Sequence, residues 1–74
     1  MMSENVELTA DERAVLGYLI ETRRWKGFND ISMATGILDL DETLNGLYTK
    51  GFIYFVNERV CITHTGEDAI GGDD

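Results

Sequence analysis

Along the chain the apolar positions recur first at helical spacing and then in a short continuous run. Val15, Leu16, Leu19 and Ile20 repeat at i, i+1, i+4 and i+5, the broad apolar face of an amphipathic helix. Thr9 followed by Glu12 has capping-box spacing, so this helix is predicted to begin at Thr9, with Asp11 and Glu12 at the positive end of its dipole. Arg23 and Arg24 fall in its last turn and Gly27 ends it, with Trp25 and Phe28 read as core aromatics that fold the following loop back. A short second helix is predicted from Asn29 or Asp30 to about Thr35, burying Ile31 and Ala34 with Met33 as a third candidate. Gly36 is its left-handed stop, and Ile37-Leu38 form a hydrophobic turn.

The third helix has the clearest pattern. Asp39 and Glu42 repeat the capping-box spacing, Leu40, Leu44, Leu47 and Tyr48 share one stripe, and Gly51 follows Lys50 as the C′ residue. Residues 52–56 are β-branched and aromatic, hence a strand, with Phe52, Tyr54 and Val56 on one face and Ile53 and Phe55 on the other. Asn57-Glu58 makes a turn less favourable than Asn-Gly, and Arg59 to Thr63 is the returning strand. A last helical turn is expected from Gly66 to Ile70, capped by Thr65, with Ile70 packing back. The predicted class is α+β, mainly α.

Composition narrows the picture. The 74 residues are 43% hydrophobic and 27% charged, the balance of one small folded domain. A domain of this size buries only roughly 60% of its unfolded surface, so a large active-site cleft is hard to build. No apolar run reaches the ~18 residues of a membrane span, and no signal-peptide pattern is visible. Cys61 is the single cysteine, so no internal disulfide can form, and a reducing, cytoplasmic location is expected. Proline is absent. Residues 1–7 read as a flexible acidic N-terminus, 8–70 as the domain and 71–74 as an acidic tail.

The formal net charge is −8. Glu4 and Glu7 at one end and Glu67, Asp68, Asp73 and Asp74 at the other hold six of the 14 acids. The stretch 8–66 therefore carries eight acids against all six bases. Global acidity is a weaker argument against nucleic acid than it first looks. The local objection is stronger: Asp39, Asp41 and Glu42 open the third helix.

Four short motifs add a resemblance. Met33-Ala34-Thr35-Gly36 ends the second helix, Leu47-Tyr48-Thr49-Lys50-Gly51-Phe52-Ile53 ends the third, Ile62-Thr63-His64-Thr65-Gly66 follows the hairpin, and Leu8-Thr9 opens the first helix. In this order they resemble the winged helix-turn-helix core of the multiple-antibiotic-resistance-regulator family over about residues 8–70, without the terminal helices with which that family dimerises. The resemblance implies a winged helix of three helices, a two-stranded wing and a short C-terminal helical turn. It also implies a third helix that enters the major groove and a wing that touches the backbone.

Two functions follow from different residues. In the first, the chain is a small non-enzymatic regulatory module acting by protein contact, through Asp39, Asp41, Glu42, Tyr54 and Phe55, on a basic nucleic-acid-binding or transcription protein. In the second, it is a sequence-specific transcription regulator, dimeric, with Thr43, Asn45 and Thr49 as base readers, Lys50 on a phosphate and Arg59 at the wing tip. Arg23, Arg24 and Lys26 read first as helix-dipole partners and solvated side chains, and second as a nucleic-acid patch. Two or three phosphate contacts per copy make a monomer a weak DNA binder at physiological salt. One face of strand 52–56 is a candidate partner or homodimer surface.

Catalysis has little to build on. Cys61 and His64 are the only nucleophile and base candidates, and three-residue spacing on a strand puts them on opposite faces. Cys-x2-His lacks a second ligand pair for a metal, and no glycine lies in a phosphate-loop context. No enzyme activity and no cofactor are expected.

Overall fold

A computed structural model describes residues 8–70. The elements are α1 (Ala10–Thr22), β1 (Lys26–Gly27), α2 (Phe28–Thr35), α3 (Leu40–Thr49), β2 (Ile53–Val56), β3 (Arg59–Ile62) and α4 (His64–Ala69). The fold is α+β and mainly helical. The strands form one antiparallel sheet in the order β1-β3-β2, so the hairpin is joined by a third strand that the hydrophobic pattern did not reveal. Two residues are too few to show a period.

Thr9 caps α1 with both bonds of the capping box: the Glu12 N–H donates to Thr9 Oγ1 at 3.0 Å and the Thr9 N–H donates to Glu12 Oε1 at 3.1 Å. Val15, Leu16 and Leu19 are fully buried, as their spacing predicts. The helix stops at Thr22, earlier than Gly27, because Arg23 takes a left-handed conformation (φ 54°) and its N–H donates to the Leu19 carbonyl at 2.8 Å. Arg23 therefore lies past the last turn, where it pairs with Glu67 of α4 at 3.1 Å. Gly27 is the N-cap of α2, and its N–H donates to the Asp30 carboxylate at 3.4 Å. Trp25 is not a core residue: it is 45% exposed and stacks on Tyr54, ring centroids 6.1 Å apart. Phe28 does pack partly buried against the core.

In α2 only Ile31 is buried, and Ala34 and Met33 face solvent. The inward face of α2 is Phe28, Ile31, Ser32 and Thr35, at i, i+3, i+4 and i+7, which leaves Met33 and Ala34 on the outer side. Gly36 is the left-handed stop (φ 69°).

Leu40, Leu44 and Leu47 of α3 are buried, while Tyr48 is 55% exposed at the margin of the stripe. Asp39 precedes α3 without a side-chain capping bond (φ −100°, ψ 51°), so the predicted box with Glu42 does not form. The other end closes as a Schellman motif: Phe52 N–H donates to the Leu47 carbonyl, Gly51 N–H donates to the Tyr48 carbonyl, and Gly51 is left-handed (φ 81°). Phe52 is buried in that turn and does not share the outward face of Tyr54 and Val56.

The hairpin pairs Val56 with Arg59 across Asn57 and Glu58, both at positive φ, as a type I′ turn requires. Ile53 is buried and Phe55 half-buried toward the helices, with Val60 and Ile62 beside them. Tyr54, Val56, Arg59 and Cys61 alternate to the outer face.

The last helix starts at His64 and is capped by Thr63, not Thr65. Thr63 Oγ1 accepts from the Gly66 N–H at 2.9 Å and donates to the Gly51 carbonyl at 2.8 Å, while its N–H donates to the Phe52 carbonyl at 3.0 Å. A single threonine thus ties the end of the hairpin to the turn after α3 and to α4. Ile70 packs partly buried against the core, as expected. No described helix is long and apolar enough to cross a membrane.

Candidate functional site

The amino end of α3 converges with the hairpin tip and the amino end of α2. Antiparallel travel of β2 away from the C-terminus of α3 returns the hairpin tip to the level at which α3 begins. A groove of about 660 Å³ lies there, lined by Gly27 to Asp30, Asp41, Phe55 and Asn57 to Arg59. A second groove shares Asp41 and Phe55 with it and adds Asp39, Glu42 and Asn45. The two make one continuous surface floored by the half-buried Phe55 ring. Its charges are Asp30, Asp39, Asp41, Glu42 and Glu58 against Arg59 alone.

Absence of the Asp39–Glu42 capping box leaves these carboxylates available. Asp39, Asp41 and Glu42 are exposed and make no side-chain hydrogen bond or ion pair among the described residues. Asp41 and Glu42 still favour the first turn of α3 through its dipole, a contribution of about 0.3–1 kcal/mol each. Five carboxylates against one cation raise the local negative potential, which attracts a basic surface and repels phosphate.

Of the residues singled out for protein contact, Asp39, Asp41, Glu42 and Phe55 meet in this groove. Tyr54 does not join them, because it points to the opposite side of the sheet, 53% exposed beside Trp25.

The residues singled out for DNA are spent differently. Lys50 Nζ donates to Glu12 Oε1 at 2.8 Å, and Glu12 is buried, so this cation anchors the C-terminus of α3 to the first turn of α1. The Thr43 and Thr49 hydroxyls donate to the carbonyls of Asp39 (3.1 Å) and Asn45 (2.9 Å), four residues back. Asn45 is exposed at the acidic groove. Arg59 projects from the exposed end of β3.

Sequence reading missed the Glu12–Lys50 pair, which joins residues 38 apart. A glycine marks the place: a Cβ on Gly46 would lie 2.9 Å from Glu12 Oε2, so a small residue on α3 admits the carboxylate. Cys61 is half-buried, with its thiol 3.6 Å from the Ile62 carbonyl, and His64 is exposed on α4 beside Asp68. No hydrogen bond joins the two. Among the described residues no group of three or more His, Cys, Asp or Glu is placed to hold a metal ion. Comparison with protein-family models, curated proteins and solved structures returns no match to this chain.

Proposed function

We propose that this chain is a non-enzymatic winged-helix module that acts by protein–protein contact, its partner a protein with a basic surface such as a nucleic-acid-binding or transcription protein. The order α1-β1-α2-α3-β2-β3, with β1 completing the sheet beside β3, supports the winged-helix reading. The observation that carries the function is the carboxylate-lined groove at the amino end of α3. In a DNA-binding winged helix that end of the third helix meets the bases. Here it offers Asp39, Asp41 and Glu42, flanked by Asp30 and Glu58. Engagement of Lys50 by Glu12 points the same way, because it commits a cation of α3 to the fold. Fold analogy alone favours DNA, but function rests on the site.

The test pairs two measurements on the intact chain. Immobilised wild type is expected to retain basic proteins that are released by added salt and are not retained by Asp41→Lys/Glu42→Lys. Labelled duplex DNA is expected to show no change in fluorescence anisotropy at about 50 mM salt. Salt-sensitive duplex binding by the wild type, abolished in Arg59→Ala, overturns the proposal in favour of a DNA-binding regulator.

A further inference from the structure

The sheet turns one face to the helices and the other outward. Tyr54, Val56, Arg59 and Cys61 alternate to the outer face along the hairpin. Gly27 joins them opposite Arg59, and the β1–β3 register continued by one residue sets Trp25 beside Cys61. Trp25 and Tyr54 therefore flank the central strand, and their rings meet across it, 29° from parallel with centroids 6.1 Å apart. Among the described residues six large apolar side chains stand exposed, and three of them, Trp25, Tyr54 and Val56, share this one face. A cluster of that kind is the mark of a contact surface.

Its polar chemistry selects the occupant. The Trp25 indole and the Arg59 guanidinium only donate hydrogen bonds, and the Tyr54 hydroxyl can donate. None of the three side chains is hydrogen-bonded or ion-paired to a described residue. No Asp or Glu alternates to this face, in a chain that has 14. The fitting ligand has apolar bulk, free acceptors and few donors. A second copy brings the same donors and no carboxylate to meet them. A single nucleic-acid strand has ring faces and acceptors, but it brings a phosphate per nucleotide to a chain of net charge −8 whose Glu58 adjoins Arg59. A proline-rich segment meets every condition. Proline has no N–H, its ring is apolar, and the polyproline II helix leaves its carbonyls unbonded. Such a segment is also uncharged and already extended, so docking costs it little order.

We propose that the outer face of the sheet, centred on Trp25 and Tyr54, docks a proline-rich extended segment of a partner protein, with prolines packed on the two rings and carbonyls accepting from Trp25 Nε1 and Tyr54 Oη. This surface is separate from the acidic groove, and neither reading depends on the other.

The experiment is a nuclear magnetic resonance titration of the full ¹⁵N-labelled chain. Trp25 is its only tryptophan, so one indole N–H resonance reports the face. The probes are acetyl-Pro-Pro-Ala-Pro-Pro-Ala-Pro-amide, the same peptide with serine at every proline, and a thymidine strand of about ten nucleotides. The proline peptide is expected to move the indole resonance and the amides of Tyr54, Val56 and Cys61 with a Kd of about 1 mM or tighter. Added salt should change that Kd little, and Tyr54→Ala should weaken it about tenfold. The serine peptide and the thymidine strand are expected to leave these resonances in place at about 150 mM salt. Equal shifts with the serine peptide, or none with the proline peptide at about 5 mM, overturn the proposal. Salt-sensitive shifts from the thymidine strand that exceed those from the proline peptide overturn it in favour of a single-strand site.

Discussion

Replacing Gly66 by alanine adds one methyl group where the fold has no room for it. A Cβ at this position would lie 2.2 Å from the Phe52 carbonyl oxygen and 2.9 Å from Ile62 Cγ1. Carbon–oxygen contacts in proteins settle at about 3.3 Å or more, so the two backbones must separate by about 1 Å. The oxygen cannot yield cheaply, because it accepts the Thr63 N–H at 3.0 Å and belongs to the turn that ends α3. Overpacking of this kind costs about 1–3 kcal/mol, and loss of the Thr63 bond adds about 1 kcal/mol. Release of α4 is the alternative. It gives up the Thr63 cap on Gly66, the exposed Arg23–Glu67 pair and the partial burial of Ala69 and Ile70. That route costs about 2–3 kcal/mol. Either way Gly66→Ala is expected to lose about 2–4 kcal/mol, even though alanine is favoured over glycine within a helix by about 1 kcal/mol. Gly17→Ala is the matched control: it lies within α1 with nothing inside 4 Å of the added Cβ, so it should gain up to about 1 kcal/mol. Urea unfolding followed by helical circular dichroism measures both. A Gly66→Ala midpoint equal to or above that of the wild type refutes the close approach of α4 to the hairpin base.

Three further outcomes are expected. Glu12→Ala removes the α1 capping box and the Glu12–Lys50 ion pair, and should cost about 2 kcal/mol in urea unfolding, with Glu12→Gln costing less because its amide oxygen can still accept the Thr9 N–H. Glu58→Gly relieves a left-handed non-glycine residue (φ 64°) in the hairpin loop and should raise stability by about 0.5–1 kcal/mol, read as a higher unfolding midpoint. Tyr54→Ala strips the Trp25 stack from an exposed face, so it should shift the Trp25 emission spectrum while costing less than about 1.5 kcal/mol.

Most of the helical framework was legible because its signals are local. The Thr9–Glu12 box, the Leu40-Leu44-Leu47 stripe, and the left-handed glycines at 36 and 51 depend on residues within about two turns of one another. The motif from Ile62 to Gly66 was also visible, although its mechanics were not. Thr63 bonds the Gly51 carbonyl and Gly66 sits against the Phe52 carbonyl, contacts between segments more than ten residues apart. Trp25 was misplaced because an aromatic side chain does not announce whether it covers the core or the outer side of a sheet. Asp39 has the right residue type and spacing for a capping box, but its backbone (ψ 51°) falls short of the extended geometry that Thr9 adopts. Spacing cannot report that difference. The acidic residues of the candidate site were evident one by one, whereas their meeting with Phe55 and the hairpin tip depends on the tertiary return of β2 along α3.

On the proposed function, the surface around the amino end of α3 attracts cations and repels phosphates. Duplex-DNA anisotropy of the wild type against Asp39→Lys/Asp41→Lys/Glu42→Lys tests it most directly, with folding of both checked by circular dichroism. No measurable binding by the wild type is expected at about 50 mM salt. Salt-sensitive binding by the variant is expected in the range of about 10⁻⁴–10⁻⁶ M typical of non-specific complexes. Binding by the wild type as tight as, or tighter than, binding by the variant contradicts it.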